Sequence, residues 1–113
     1  MHELPVTMSI LSIALEHAKN VQASKIIQIK LSIGELSGIV PEFVQSQFNM
    51  LSKDTIAAGA NLEFHRPPSK LRCRNCAKIF SPEGRNWICP NCGEQKVEIV
   101  SGRECYVESM EVA

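Results

Sequence analysis

Two Cys-x-x-Cys pairs, Cys73-Arg74-Asn75-Cys76 and Cys89-Pro90-Asn91-Cys92, stand twelve residues apart in a chain of 113. Two residues between cysteines let each pair bend into a knuckle around one ion. Four thiolates at about 2.3 Å then close a tetrahedral shell that leaves no position for a substrate. Gly93 follows the second pair, where a residue free to take positive φ turns backbone N–H groups toward the sulfurs, and Ala77 fills the same place after the first. Four-cysteine zinc ribbons use this spacing. A rubredoxin-type iron centre uses the same donors and stays open, although Phe80 and Trp87 would give it only a thin apolar shell. Four unligated thiols, or one pair acting as a redox couple, are the remaining readings.

The segment 69–98 that carries the pairs has few aliphatic residues and needs a metal to fold. Its basic residues Lys70, Arg72, Arg74, Lys78, Arg85 and Lys96 outnumber Glu83, Glu94 and Glu98, but a tetrathiolate zinc with two negative charges removes most of that surplus. Over the whole chain 12 Lys and Arg balance 12 Asp and Glu, and aromatic residues make up 5%, so neither a phosphate grip nor a base-stacking platform is expected. A zinc-ribbon module that binds nucleic acid or another protein is the competing function. No Gly-rich phosphate loop, nucleophile elbow or catalytic carboxylate pair is recognisable, so an enzyme is not expected. The chain shows neither an apolar run of about 18 residues nor a signal-peptide pattern, and metal-spaced cysteines suit a reducing compartment. A cytoplasmic location without membrane contact is expected.

Elsewhere, hydrophobic periodicity carries the reading. Leu4, Met8, Leu11, Leu15 and Ala18, widened by Ile10, Ala14 and Val21, predict an amphipathic helix from Leu4 to Val21. Lys25 to Ile33 alternates strictly, with Ile27, Ile29, Leu31 and Ile33 facing inward and Gln28, Lys30 and Ser32 facing water. After a turn at 34–38, Pro41 opens a second helix that carries Val44, Phe48, Leu51 and Thr55 on one side and stops at Gly59. Asn61 to Arg66 reads as a strand closed by Pro67 and Pro68. Beyond Gly102 a last strand follows through Cys105, Val107, Met110 and Val112. Its phase slips near Glu108 and Ser109, through either a bulge or cover on both faces. The fold class is α+β: two helices packed on a three-stranded sheet from residues 1–68 plus 99–113, with a four-cysteine zinc ribbon, 69–98, inserted. Cys105 reads as a core residue.

The chain starts Met1-His2-Glu3. A side chain as large as that of His2 protects the initiator methionine from removal, leaving a free amine beside an imidazole. The amine, the His2 backbone nitrogen and the His2 ring can close adjacent chelate rings, and such a nitrogen-rich planar set suits Ni(II) or Cu(II). Glu3 adds a backbone nitrogen or a carboxylate. Standing alone, a histidine at position two is usually an ordinary terminal residue, and His17 and His65 read as surface or hydrogen-bonded structural residues.

With MHE at its start, GELSGIVPE at 34–42, the two cysteine pairs and the closing SGRECYVESMEV, the sequence resembles the HypA/HybF family of hydrogenase maturation factors along nearly its whole length. The resemblance implies a nickel chaperone that works with a HypB-type GTPase and delivers Ni(II) to the hydrogenase large subunit, in some members also serving urease. It implies a nickel site on His2 with Glu3 implicated beside it, to which the chelate chemistry above adds the Met1 amine, and zinc on Cys73, Cys76, Cys89 and Cys92. A monomer or homodimer is expected. Some members carry histidines in the zinc motifs that couple zinc geometry to nickel or pH, but no histidine follows Ser69 here. Cys105 stands where an aliphatic residue is expected.

Overall fold

The computed structural model describes residues 3–82 and 86–113. In chain order the elements are α1 (Glu3–Asn20), β1 (Ile26–Ile33), α2 (Pro41–Leu51), β2 (Asn61–His65), β3 (Lys70–Cys73), β4 (Ile79–Phe80), β5 (Val97–Ser101) and β6 (Cys105–Val112). They form two sheets. In the first, of order β2-β1-β6, β1 pairs parallel with β2 and antiparallel with β6. A parallel pair needs a crossover, and α2 supplies it. The second sheet, of order β4-β3-β5, is antiparallel throughout. Two helices on a three-stranded sheet agree with the fold class read from sequence. The second sheet was not legible, because its short strands lie among the cysteine turns and bury few apolar residues to mark a period. Its strand β5 continues to Ser101, past residue 98, where the sequence reading ended the ribbon.

Each sheet has its own core. Ile10, Ala14, Ala18, Ile29, Leu31, Ile33, Val44 and Phe48 fill the first, whereas among the described residues the second buries Leu71, Phe80, Cys73 and Cys89. The radius of gyration, 17.7 Å, exceeds the roughly 13 Å of a compact chain of this length, and the extents are 55 × 26 × 17 Å. The two bodies therefore lie end to end. Among the described residues no helix is long and apolar enough to cross a membrane.

Several local expectations are corrected. The buried face of α1 is Glu3, Thr7, Ile10, Ala14 and Ala18, while Leu4 and Met8 are exposed. Ala14 and Ala18 give the helix its close approach to the core, and the Thr7 hydroxyl lies 3.0 Å from Gln47 Oε1 on α2, so the polar start of the helix faces inward. In β1 a register shift between Ile26 and Gln28 buries Ile26 and leaves Ile27 exposed. Ser32 is buried rather than wet, since His65 and Tyr106 are its partners on the two sides.

Helix α2 stops at Leu51, leaving Thr55 outside it. There the Thr55 hydroxyl donates to Ser52 O at 2.6 Å and its oxygen accepts the Ala57 N–H at 3.1 Å, so side-chain bonds compete with the helical ladder. The phase slip in β6 is a bulge: Lys30 pairs with Ser109 and Leu31 with Val107, leaving Glu108 as the extra residue. Cys105 is exposed and not core, because it begins a strand at the sheet edge.

The two bodies meet where the loop after β1 grips both connecting strands of chain. The Gly34 N–H donates to Glu104 O at 2.7 Å and the Leu36 N–H to Gly102 O at 2.6 Å. Glu35 Oε2 accepts from both the N–H and the hydroxyl of Ser69, at 3.2 and 3.1 Å. A Cβ at Gly34 would overlap the Gly102 carbonyl, so the backbones can touch only without a side chain there. Gly34→Ala is expected to cost about 2 kcal/mol or more of stability, read as a lowered urea midpoint. Gly38→Ala, with φ +78 but open space around it, should cost about 1 kcal/mol.

Candidate metal centre

Strand β3 delivers Cys73 to its end, and the chain turns at once. The Cys73 N–H donates to Lys78 O and the Ala77 N–H to Cys73 O, both at 2.9 Å. The second pair repeats the pattern, Cys89 N–H to Glu94 O and Gly93 N–H to Cys89 O, again at 2.9 Å. In each turn the residue after the second cysteine is left-handed, with φ +66 at Ala77 and +77 at Gly93. Glycine takes this conformation without strain, and alanine carries a steric penalty.

The twin turns aim four thiols at one point. The Sγ atoms of Cys73, Cys76, Cys89 and Cys92 all lie within 4.8 Å of one another, with Cys73 to Cys92 at 3.5 Å and Cys76 to Cys89 at 3.6 Å. A tetrahedron built on metal–sulfur bonds of about 2.3 Å has edges of about 3.8 Å, so the group fits such an ion. Cys73 and Cys89 are buried, Cys76 is half-buried and Cys92 is exposed. One vertex thus faces water while the others close against Leu71 and Phe80.

Sequence reading treated the residues between the cysteines as spacers, but two of them act on the sulfurs. The Asn75 N–H points at Cys73 Sγ at 3.4 Å, and its amide nitrogen lies 3.7 Å from Cys92 Sγ. The Lys78 N–H, and after it the Asn91 side chain, lowers the Cys76 thiol to about 6. The Glu94 N–H and then the Asn75 side chain lower Cys92. At Cys73 the Cys76 N–H pulls downward, yet burial and the neighbouring thiols of Cys92 and Cys76 push it up to about 11. Cys76 and Cys92 are thus drawn toward the thiolate while Cys73 is pushed toward the thiol, a conflict that a dication removes by adding positive charge at the centre. Four soft donors with no vacant position make a holding site, and they leave no room for bound substrate.

The surrounding charges are largely self-contained. Glu98 pairs with Arg72 and lies 3.9 Å from Arg74 Nε, which neutralises part of the basic surplus around the cysteines. His65 Nδ1 meets Glu108 Oε1 at 2.8 Å across β1, and His17 is exposed on α1, so both are surface or structural histidines.

Of the three residues read as nickel donors, Met1 and His2 lie outside the described residues. Glu3 is buried at the start of α1. Its carboxylate accepts the Val40 N–H at 3.1 Å and its carbonyl accepts the Thr7 hydroxyl at 2.8 Å. Val40 is the N-cap of α2 and has no side-chain cap of its own, so a carboxylate held there is favourably placed against the helix dipole. Glu3 lies at the start of α1 and is not part of the cysteine group.

Comparison with known proteins adds three findings. One protein family, described as hydrogenase/urease nickel incorporation, metallochaperone, hypA, matches residues 1–112. The hydrogenase maturation factor HypA of Dehalococcoides mccartyi is 43% identical over 113 residues, covering 99% of this chain and 94% of that protein. That of Caldanaerobacter subterraneus is 37% identical with 99% of each covered. Among solved structures, the Ni metallochaperone HypA from Helicobacter pylori superposes with a TM-score of 0.67 at 28% identity, over 97% of this chain and 96% of that one. A second solution structure of a HypA protein gives 0.75 at 30% identity, over 100% and 97%.

The left-handed turns predict opposite outcomes for two exchanges. Ala77→Gly should stabilise the metal-loaded second body by about 1 kcal/mol and Gly93→Ala should destabilise it by a similar amount, measured by competition with a chelator of known affinity. For pH the sign follows from the lowered thiols. The stability they contribute is present above the ordinary thiol range and is lost as pH falls through about 6, the value for Cys76. Because protons compete with an ion for the same sulfurs, a metal-indicator dye should register release that rises as pH falls.

Proposed function

Because the chain belongs to the HypA family of hydrogenase and urease nickel-incorporation metallochaperones, we propose that it carries Ni(II) on Met1, His2 and Glu3 while Cys73, Cys76, Cys89 and Cys92 hold a structural Zn(II). It is a maturation factor and not an enzyme. The whole-length family match carries this reading, and the chemistry of the donors supports it.

Cargo and scaffold need opposite properties. Four convergent thiolates hold an ion that keeps the second body folded, for its apolar core of Leu71 and Phe80 is too small to do so alone. Such a closed shell cannot hand an ion on readily. A set of terminal nitrogens and one ring can be dismantled by a competing ligand, which suits delivery. The buried Glu3 carboxylate is engaged with Val40, and this supports the backbone nitrogen of Glu3 as its contribution to nickel. Binding then releases protons and strengthens as pH rises. The acceptors on this reading are a HypB-type GTPase and the hydrogenase large subunit in the cytoplasm. On this reading the chain works as two folding units, residues 1–68 with the segment that carries β6 for nickel and the cysteine ribbon from 69 through β5 for zinc.

Nickel titration of the zinc-loaded protein tests the terminal site. A single planar, nitrogen-type visible spectrum is expected, lost when one residue is added before Met1 and lost in His2→Ala. Unchanged stoichiometry and affinity in both variants would falsify it. Cys89→Ala should abolish zinc binding and open residues beyond 69 to limited proteolysis while the helices resist. Zinc retention with an intact ribbon in that variant would refute the structural role.

A further inference from the structure

The four sulfurs of the metal centre are alike in chemistry and unlike in access. Cys73 and Cys89 are buried, Cys76 is half-buried and Cys92 is exposed, so a small solute meets the group first at Cys92. Behind it, in the other knuckle, Cys73 Sγ lies 3.5 Å away. An exposed thiolate with a second sulfur in reach has what is needed to be oxidised to a sulfenic acid and then closed into a disulfide. The Asn75 amide nitrogen stands 3.7 Å from Cys92 Sγ, and a donor held there engages the sulfur lone pair that an attack uses. Cys105 is also exposed but stands outside the group.

The geometry points to Cys92 as a modification site for small hydroperoxides, at which oxidation opens the cysteine group and frees its ion, with Cys73 as the resolving thiol and Asn75 as a restraint. This rests on the reading of the four cysteines as a zinc site. In the first step Cys92 Sγ attacks one oxygen of hydrogen peroxide. An S–O bond forms, the O–O bond breaks and hydroxide leaves, so the sulfur loses two electrons and the peroxide gains them. Cys73 Sγ then attacks the sulfenic sulfur; an S–S bond forms, the S–O bond breaks and a second hydroxide leaves. Two protons from solvent turn both hydroxides into water. The two sulfurs close from 3.5 Å to about 2.05 Å, a short movement for turns that already face one point. A disulfide is a poor metal donor, so two of the four ligands are lost together, and a dithiol restores them by returning two electrons.

The test uses the full zinc-loaded chain with Cys105→Ser, which removes the thiol outside the group. Hydrogen peroxide should release zinc to an indicator dye in step with the loss of two thiols, and a dithiol with added zinc should restore both. Trypsin cuts after Arg74 and so separates Cys73 from Cys76, and fragmentation of the linked peptides should place the bond between Cys73 and Cys92. Asn75→Ala should release zinc about fivefold faster under peroxide, beyond any change in its release to a chelator alone. Zinc retained under peroxide that oxidises Cys105 of the unaltered chain, oxidation that starts at Cys76, or a disulfide confined to one knuckle would overturn the proposal. An equal rate for Asn75→Ala would overturn the restraint assigned to that residue. Zinc stoichiometry measured before peroxide keeps the two readings apart: a chain that holds no zinc overturns the zinc site and this proposal together, whereas the other results overturn the proposal alone.

Discussion

Four sulfur atoms within 4.8 Å of one another are the constraint on which the second half of the molecule rests. Without a cation the site must keep protons on buried thiols or set thiolates side by side, and the spread from about 6 at Cys76 to about 11 at Cys73 expresses that conflict. Backbone and asparagine donors around the sulfurs relieve only part of it. The sheet made by β3, β4 and β5 adds Leu71 and Phe80 as its buried apolar side chains, a small core beside the four sulfurs. The left-handed alanine at position 77 shows the same priority, since a local steric cost is accepted to keep the turn that aims Cys73 and Cys76.

The first body follows ordinary hydrophobic logic, with two helices covering one face of a sheet. Its contribution beyond a core lies in its contacts with neighbouring segments. Glu3 reaches from the first turn of α1 to the N-cap of α2, so the start of the chain is tied to a second element. Gly34, Glu35 and Leu36 then bind both stretches that lead into and out of the ribbon. The loop between β1 and α2 therefore joins the amino-terminal region on one side to the metal-holding body on the other.

How much could be read from sequence differs by kind of feature. The cysteine group was fully legible because a short-range spacing encodes its geometry: two knuckles need only local bends. The two helices and the strands β1, β2 and β6 were legible too, for Pro41, Pro67 and the alternation from Ile29 to Ile33 act within a few residues of themselves. Asn75 and Asn91 were missed as sulfur donors, since nothing in a Cys-x-x-Cys pattern says which way the intervening side chains turn. The two readings of the β6 phase slip differed only in pairing, so the bulge at Glu108 needed β1 beside it to be seen.

The sequence by itself determined the four cysteines and their single meeting point, the two helices, the long strands and the membership of the chain in its family. Only the tertiary structure decided which stripe of α1 is buried, that Ile26 and not Ile27 faces the core, that Ser32 is covered, that a second sheet exists and that Glu3 caps α2. The physical reason is range. Periodicity defines a face up to a rotation of the helix or a one-residue slip of the strand, and the choice among those is made by contacts between residues far apart in the chain. Ala14 and Ala18 outrank the larger Leu4 and Met8 because they let the helix come close, a preference visible only once the surface it approaches is present.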